Sequence, residues 1–314
     1  MDNIKKMFDY YSANYKKLLF FSKLSIEKKE YAIMYPHDEA DEVERFVDNF
    51  TKYFPFYVWN EDQLEVLQLE KNVEDALEKA SYDCWNDSVI VPQRQTKMNG
   101  IYGEVYLDFY ERVVKNNKLV CTYAGKRSFR SNDETKGFDN VLYVINDSKI
   151  ELVFSEAKFV VDCSAATLAL KEDIIGKQKT IKNKAKLGHF TKEFLNDYIS
   201  FIVQKNSYFS DEERVALRSF FKKLNDILVN GDKDFVQYLI DDKIKMNCVF
   251  FAIFKSNKFT PKDLITYYNQ IYKQAESNLH AIGISNYSIE IVFVPTFSDS
   301  MKIKGDINEH YNKR

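Results

Sequence analysis

Apolar residues recur along this chain at helical spacing, at alternate positions or in short unbroken runs, and the pattern divides it into helices and strands. Val43, Phe46, Val47 and Phe50 fall on one face of a helix predicted over residues 42–54, and a shorter helix is expected over 73–80. After a loop from Pro92 to Gly100, residues Tyr106, Phe109, Tyr110 and Val113 form the apolar face of a helix over 102–114. β-Forming residues dominate 119–123. Runs over 138–145 and 149–161 flank the turn sequence Asn146, Asp147, Ser148 and read as a hairpin. Ser164 stands where it can cap a helix running into a lysine-rich stretch, with a break near Gly176. Another helix covers 191–203, and a capping box from Ser210 to Glu213 opens one that stops at Asn230 and Gly231. Residues 246–254 read as a buried strand, Pro261 and Asp263 start a helix to His280, and 288–295 form a last strand. Residues 1–35 mix helical and strand character. The order predicts an α/β chain of α+β type with a central mixed sheet.

Composition narrows the function classes. With 45% hydrophobic and 29% charged residues, 9 Gly and 5 Pro, the sequence is that of a globular protein. No apolar run approaches the roughly 20 residues that span a bilayer, and the start leads into no long apolar segment. A cytoplasmic location, no membrane and no signal peptide are therefore expected. Cys84, Cys121, Cys163 and Cys248 share no C-x-x-C spacing, so reduced thiols are expected rather than structural zinc. The net charge of −2 hides an asymmetry. Residues 1–100 hold 13 Lys and Arg against 19 Asp and Glu, a net −6, whereas 118–192 hold 14 against 9, a net +5. The densest basic part carries Lys177, Lys179, Lys182, Lys184 and Lys186 with no acid between them. Such a run is either a solvated helix face or a phosphate-binding one.

The hairpin carries the candidate chemistry. Strand side chains alternate, so Glu156 and Lys158 share a face. A turn centred on Asp147 and Ser148 sets Asp139 directly opposite Glu156, with Cβ atoms about 4.5–5.5 Å apart. Leu142, Val144 and Val153 occupy one face and Val141, Tyr143, Leu152 and Phe154 the other, which predicts a central, buried hairpin. Two facing carboxylates in such a place repel and are poorly solvated. Lys158 offsets one charge, and a divalent cation offsets both. Oxygen-only ligands favour Mg²⁺ or Mn²⁺, held by Asp139, Glu156 and the carbonyl of Ala157, while Lys158 orients or deprotonates the attacking water. The competing reading is a structural Asp/Glu/Lys cluster at a sheet end. Glu104 is a third candidate, with favourable interaction at a helix N-terminus as its alternative role.

The order of these residues resembles the PD-(D/E)xK nuclease superfamily: helix with Glu, strand beginning at Asp, strand ending in Glu-x-Lys, helix. Gly103 with Glu104, Gly137 to Asp139, and Ser155 to Phe159 are more specific and resemble the HamA family, the nuclease subunit of Hachiman antiphage defence. The likeness is strong over about residues 100–165 and extends weakly to Val292–Pro295. It implies a restriction-endonuclease-like core over 100–314, preceded by an N-terminal helical or mixed accessory region over 1–99. It further implies metal-dependent DNA cleavage, a helicase partner, and a catalytic set of Asp139, Glu156 and Lys158 supported by Glu104. Phe138 stands where the superfamily places Pro.

Other motifs fail on inspection. The stretch from Tyr123 to Ser128 lacks the spacing of a phosphate loop, since Val120 and Arg127 occupy positions that need Gly and Ser or Thr. His37, His189, His280 and His310 are dispersed, and Ser155 faces away from Glu156. Lys126, Arg127 and Arg130, with the five lysines from 177 to 186, are the expected DNA-binding residues. The acidic residues 1–100 are expected to dock the helicase.

Overall fold

A computed structural model describes residues 2–14, 19–26, 29–36, 41–58, 72–86, 99–119, 138–146, 149–175, 235–255 and 261–313, with a few positions between 215 and 226. In chain order these form α1 (Asp2–Asn14), β1 (Leu19–Ile26), β2 (Lys29–Pro36), α2 (Glu42–Val58) and α3 (Val73–Asn86). Next come α4 (Asn99–Phe109), which continues as a π-turn over Tyr110–Val114, β3 (Lys118–Leu119), β4 (Asn140–Asn146), β5 (Lys149–Val160) and α5 (Cys163–Ile175). The remainder is α6 (Phe235–Asp241), β6 (Met246–Lys255), α7 (Pro261–Ala281), β7 (Tyr287–Thr296) and α8 (Ser300–Asn312).

The seven strands make one mixed sheet in the order β1-β2-β7-β6-β5-β4-β3. Strands β2, β7, β6 and β5 run parallel, while β1, β4 and β3 are antiparallel to their neighbours. The unbroken apolar run of β6 follows from its place in the middle, where both faces are covered. Helices α2, α4 and α8 cover one face, where Phe46, Phe50, Tyr106, Phe251 and Ile307 pack together. Helices α5 and α7 cover the other, around Phe154, Leu170, Phe250, Ile271 and Phe293. The expected mixed α/β class is the observed one.

The hairpin has the expected register, with Asn146 opposite Lys149 and Asn140 opposite Ser155. Elsewhere the structure revises the boundaries. Helix α2 runs on through Pro55, α3 continues to Asn86, and Asp162 rather than Ser164 caps α5 by accepting the Ala165 N–H at 2.8 Å. Helix α8 was not expected from the sequence. It is capped by Asp299, which accepts the Met301 N–H at 2.7 Å. The helices expected over 191–203 and from Ser210 lie mainly outside the described residues, as does most of the strand expected over 119–123.

Residues 1–99 do not stand beside the sheet as a separate body. Ala32 and Ile33 of β2 pair with Val292 and Phe293 of β7, and α2 shares its core with α4 and α8. Among the described residues no helix is long and apolar enough to cross a membrane.

Candidate active site

Strand β4 begins at Asn140, while β5 continues to Val160, five residues beyond its last pairing with β4 at Ser155. Asp139 occupies the bend just before β4, at this step in the sheet. Its carboxylate accepts the Ala157 N–H at 2.7 Å. The N–H and C=O of one strand residue point to the same neighbour, so the Ala157 carbonyl faces the same edge as Asp139. Glu156, 3% exposed, holds the Lys158 ammonium at 2.6 Å. The structure thus brings Asp139, Glu156, Ala157 and Lys158 together at one end of the hairpin.

Glu104 reaches this point from the layer above. It is the sixth residue of α4, because the helix starts at Asn99, so a role at the helix N-terminus is excluded by position. Gly103 sets α4 directly on β5: a Cβ there would meet Ala157 Cβ at 3.4 Å and Phe159 Cβ at 3.5 Å. The electrostatics register the convergence. Burial, then the charges of Glu156 and Glu104, push the Asp139 carboxyl well above the usual carboxylate range, against the opposing pull of Lys158 and the Ala157 amide.

Three neighbours of the site were not legible in the sequence. Tyr57 Oη donates to Glu104 Oε2 at 2.5 Å. Asp108, one turn beyond Glu104 on α4, accepts from Tyr53 at 2.5 Å, from Arg112 at 3.1 Å and, through its other oxygen, from Asn140 Nδ2 at 3.2 Å. That last bond ties the first residue of β4, and with it Asp139, to α4. Lys304 of α8 lies over the rings of Phe159 and Tyr102 at 4.8 and 5.8 Å, and burial brings its ammonium down to about 8. The available signal was the spacing of Glu104, Asp108 and Arg112, a polar stripe at four-residue intervals in an otherwise apolar helix.

Asp139, Glu156 and the Ala157 carbonyl are hard oxygen donors, a set suited to Mg²⁺ or Mn²⁺. The two carboxylates outnumber the single ammonium beside them, so the donor chemistry fits a divalent cation. Among the described residues, no three His, Cys, Asp or Glu side chains form a cation site by themselves. The backbone carbonyl is then a necessary member of the set, with Glu104 outside it. The expected DNA-binding residues Lys126, Arg127, Arg130, Lys177, Lys179, Lys182, Lys184 and Lys186 all lie outside the described residues.

No curated protein matches the chain. A family model does match, that of HamA, over residues 14–309 of 314, a span that takes in the whole sheet and every residue of the site. The chain belongs to the HamA family, which is associated with Hachiman antiphage defence.

Proposed function

We propose that this protein is a metal-dependent DNA endonuclease with a restriction-endonuclease-like, PD-(D/E)xK core, acting as the effector subunit of an antiphage helicase–nuclease complex in the cytoplasm. The observation that carries the reading is the meeting of Glu104, Asp139, Glu156 and Lys158 at the step between β4 and β5. Asp139, Glu156 and the Ala157 carbonyl would hold Mg²⁺ or Mn²⁺. The cation would supply Lewis acidity toward a scissile phosphodiester and its attacking water. Lys158, anchored by Glu156, keeps N–H donors for the phosphoryl oxygens, where charge develops in the transition state. It also stands where it can orient or deprotonate the nucleophile. Asp139, with its raised affinity for protons, binds a cation in competition with them, which favours cleavage at neutral to alkaline pH.

The test is incubation of supercoiled plasmid with the purified chain, with and without its helicase, in Mg²⁺, Mn²⁺ or EDTA. Nicking or linearisation in either metal, and none in EDTA, is the expected result. Asp139→Asn and Glu156→Gln should each lower the rate at least 1000-fold, as expected for removal of a charge acting on the transition state. Both changes keep shape and remove buried charge, so the melting temperature should not fall. Undiminished cleavage by folded Glu156→Gln would remove this site from the chemistry. DNA binding without cleavage under every condition would instead identify a catalytically idle DNA-binding subunit. Sequence-specific cuts by the chain alone would identify a stand-alone restriction-type enzyme.

A further inference from the structure

Resting on that nuclease reading, we infer that Tyr57 is a positioning residue of the active site, and that Tyr57 and Gly100 together form the seat of the Glu104 carboxylate. Tyr57 is 2% exposed and sits in the last turn of α2, 47 residues before Glu104. Its hydroxyl holds Glu104 Oε2 at 2.5 Å, the short end of the range for a hydroxyl on an ionised carboxylate. The other oxygen, Oε1, lies over the backbone of Gly100, where a Cβ would come within 2.9 Å of it. Both oxygens of Glu104 are therefore fixed, one by a donor and one by the absence of a side chain. Glu104 acts in turn on Asp139, whose proton affinity its charge raises.

The seat depends on an irregular helix. Proline at position 55 lacks the N–H that would bond the Thr51 carbonyl, and such a residue normally ends or kinks a helix. Here Ser81 Oγ of α3 donates to Thr51 O at 2.5 Å in its place. Helix α2 can thus run on past Pro55 and deliver Tyr57 to Glu104. The α2 turn that contacts the site belongs to the N-terminal third of the chain, so this region completes the active site as well as the fold.

The experiment compares wild type, Tyr57→Phe, Gly100→Ala, Glu104→Gln and the Tyr57→Phe/Glu104→Gln double variant, all as full chains. Plasmid cleavage gives kcat and KM, and Mn²⁺ titration followed by electron paramagnetic resonance gives metal affinity without requiring turnover. Tyr57→Phe removes one oxygen from the ring, and Gly100 is exposed, so both variants should fold. Each should lower kcat about 10- to 100-fold at unchanged KM, the usual effect of losing a group that orients a catalytic ligand. Mn²⁺ affinity should fall several-fold. In the Glu104→Gln background, Tyr57→Phe should add nothing, because the oxygen it positions no longer carries charge. If Tyr57→Phe changes neither kcat nor Mn²⁺ affinity, or its effect persists in full beside Glu104→Gln, the positioning role is overturned while the nuclease reading stands. If the wild type neither cleaves nor binds Mn²⁺, the nuclease reading fails and this inference falls with it.

Discussion

Glu111 carries a carboxylate with no exposed surface, enclosed between the π-turn and the sheet. Asn117 donates to its Oε2, while Oε1 meets no hydrogen-bond donor among the described residues. Burial, then the nearby charge of Glu290, pushes this carboxyl up to about 8, although Asn117 and Lys115 pull the other way. Folded Glu111 therefore keeps its proton to about pH 8. The unfolded chain releases it in the ordinary range near 4.3. Between those values the unfolded state binds fewer protons, so the stability Glu111 contributes is complete at low pH and is lost as pH rises. Glu111→Gln should melt near the wild-type temperature at pH 6 and clearly above it at pH 9, by differential scanning calorimetry. An unchanged difference between the two pH values would show that Glu111 is ionised at both. At this scale the sequence was informative only where strand alternation sets side chains face to face, as for Asp139 and Glu156. Nothing local marks Glu111 or Tyr57, whose partners lie on other elements.

Helix α2 shows why element boundaries are harder to read than elements. Its apolar spacing was legible from Val43 to Phe50, and the proline at 55 argues for a stop just before it. The structure continues the helix to Val58 because Ser81 supplies the missing donor, itself in contact with Tyr311 Oη of α8 at 2.6 Å. Ser81→Ala would leave the Thr51 carbonyl and the Tyr311 hydroxyl without that partner. It should lower the unfolding free energy by about 1–3 kcal/mol in urea denaturation. Adding Pro55→Ala restores a backbone N–H for Thr51 and should recover part of the loss. If it recovers none, the role given to Ser81 is wrong. The hairpin was legible in full because a two-residue turn and alternation over long strands leave one register. Helix α8 was not. Its buried positions Ile303, Ile307 and Tyr311 follow a four-residue period, but Lys304 and Gly305 interrupt the pattern, and Trp85 stacking on Tyr311 at 4.1 Å is a contact across 226 residues.

At the scale of the whole molecule, the N-terminal third is structural before it is anything else. It contributes two strands, and α2 shares a core with the helix that bears Glu104. Its acidic run is also divided in role. Glu42 is buried, and its two oxygens accept the N–H groups of Phe297 and Ser298 at 2.9 and 2.7 Å, so it holds the turn between β7 and α8. Asp41 and Glu44 remain exposed beside it, as does Asp83 on α3. Removing residues 1–90 to test partner docking would take away α2 and α3 and unfold the core, so loss of binding by such a truncation would decide nothing. Charge reversal of exposed positions separates docking from folding. Asp41→Lys, Glu44→Lys and Asp83→Lys together change the net charge of the protein by +6 and touch no fully buried group. Reversing Glu44 in the first turn of α2 should cost at most about 1 kcal/mol through the helix dipole. If this surface docks a basic face of the helicase, the triple variant should keep its circular dichroism and lose at least tenfold in affinity, chiefly through slower association and most strongly at low salt. Full co-purification of the folded variant at low salt would move the interface away from α2 and α3.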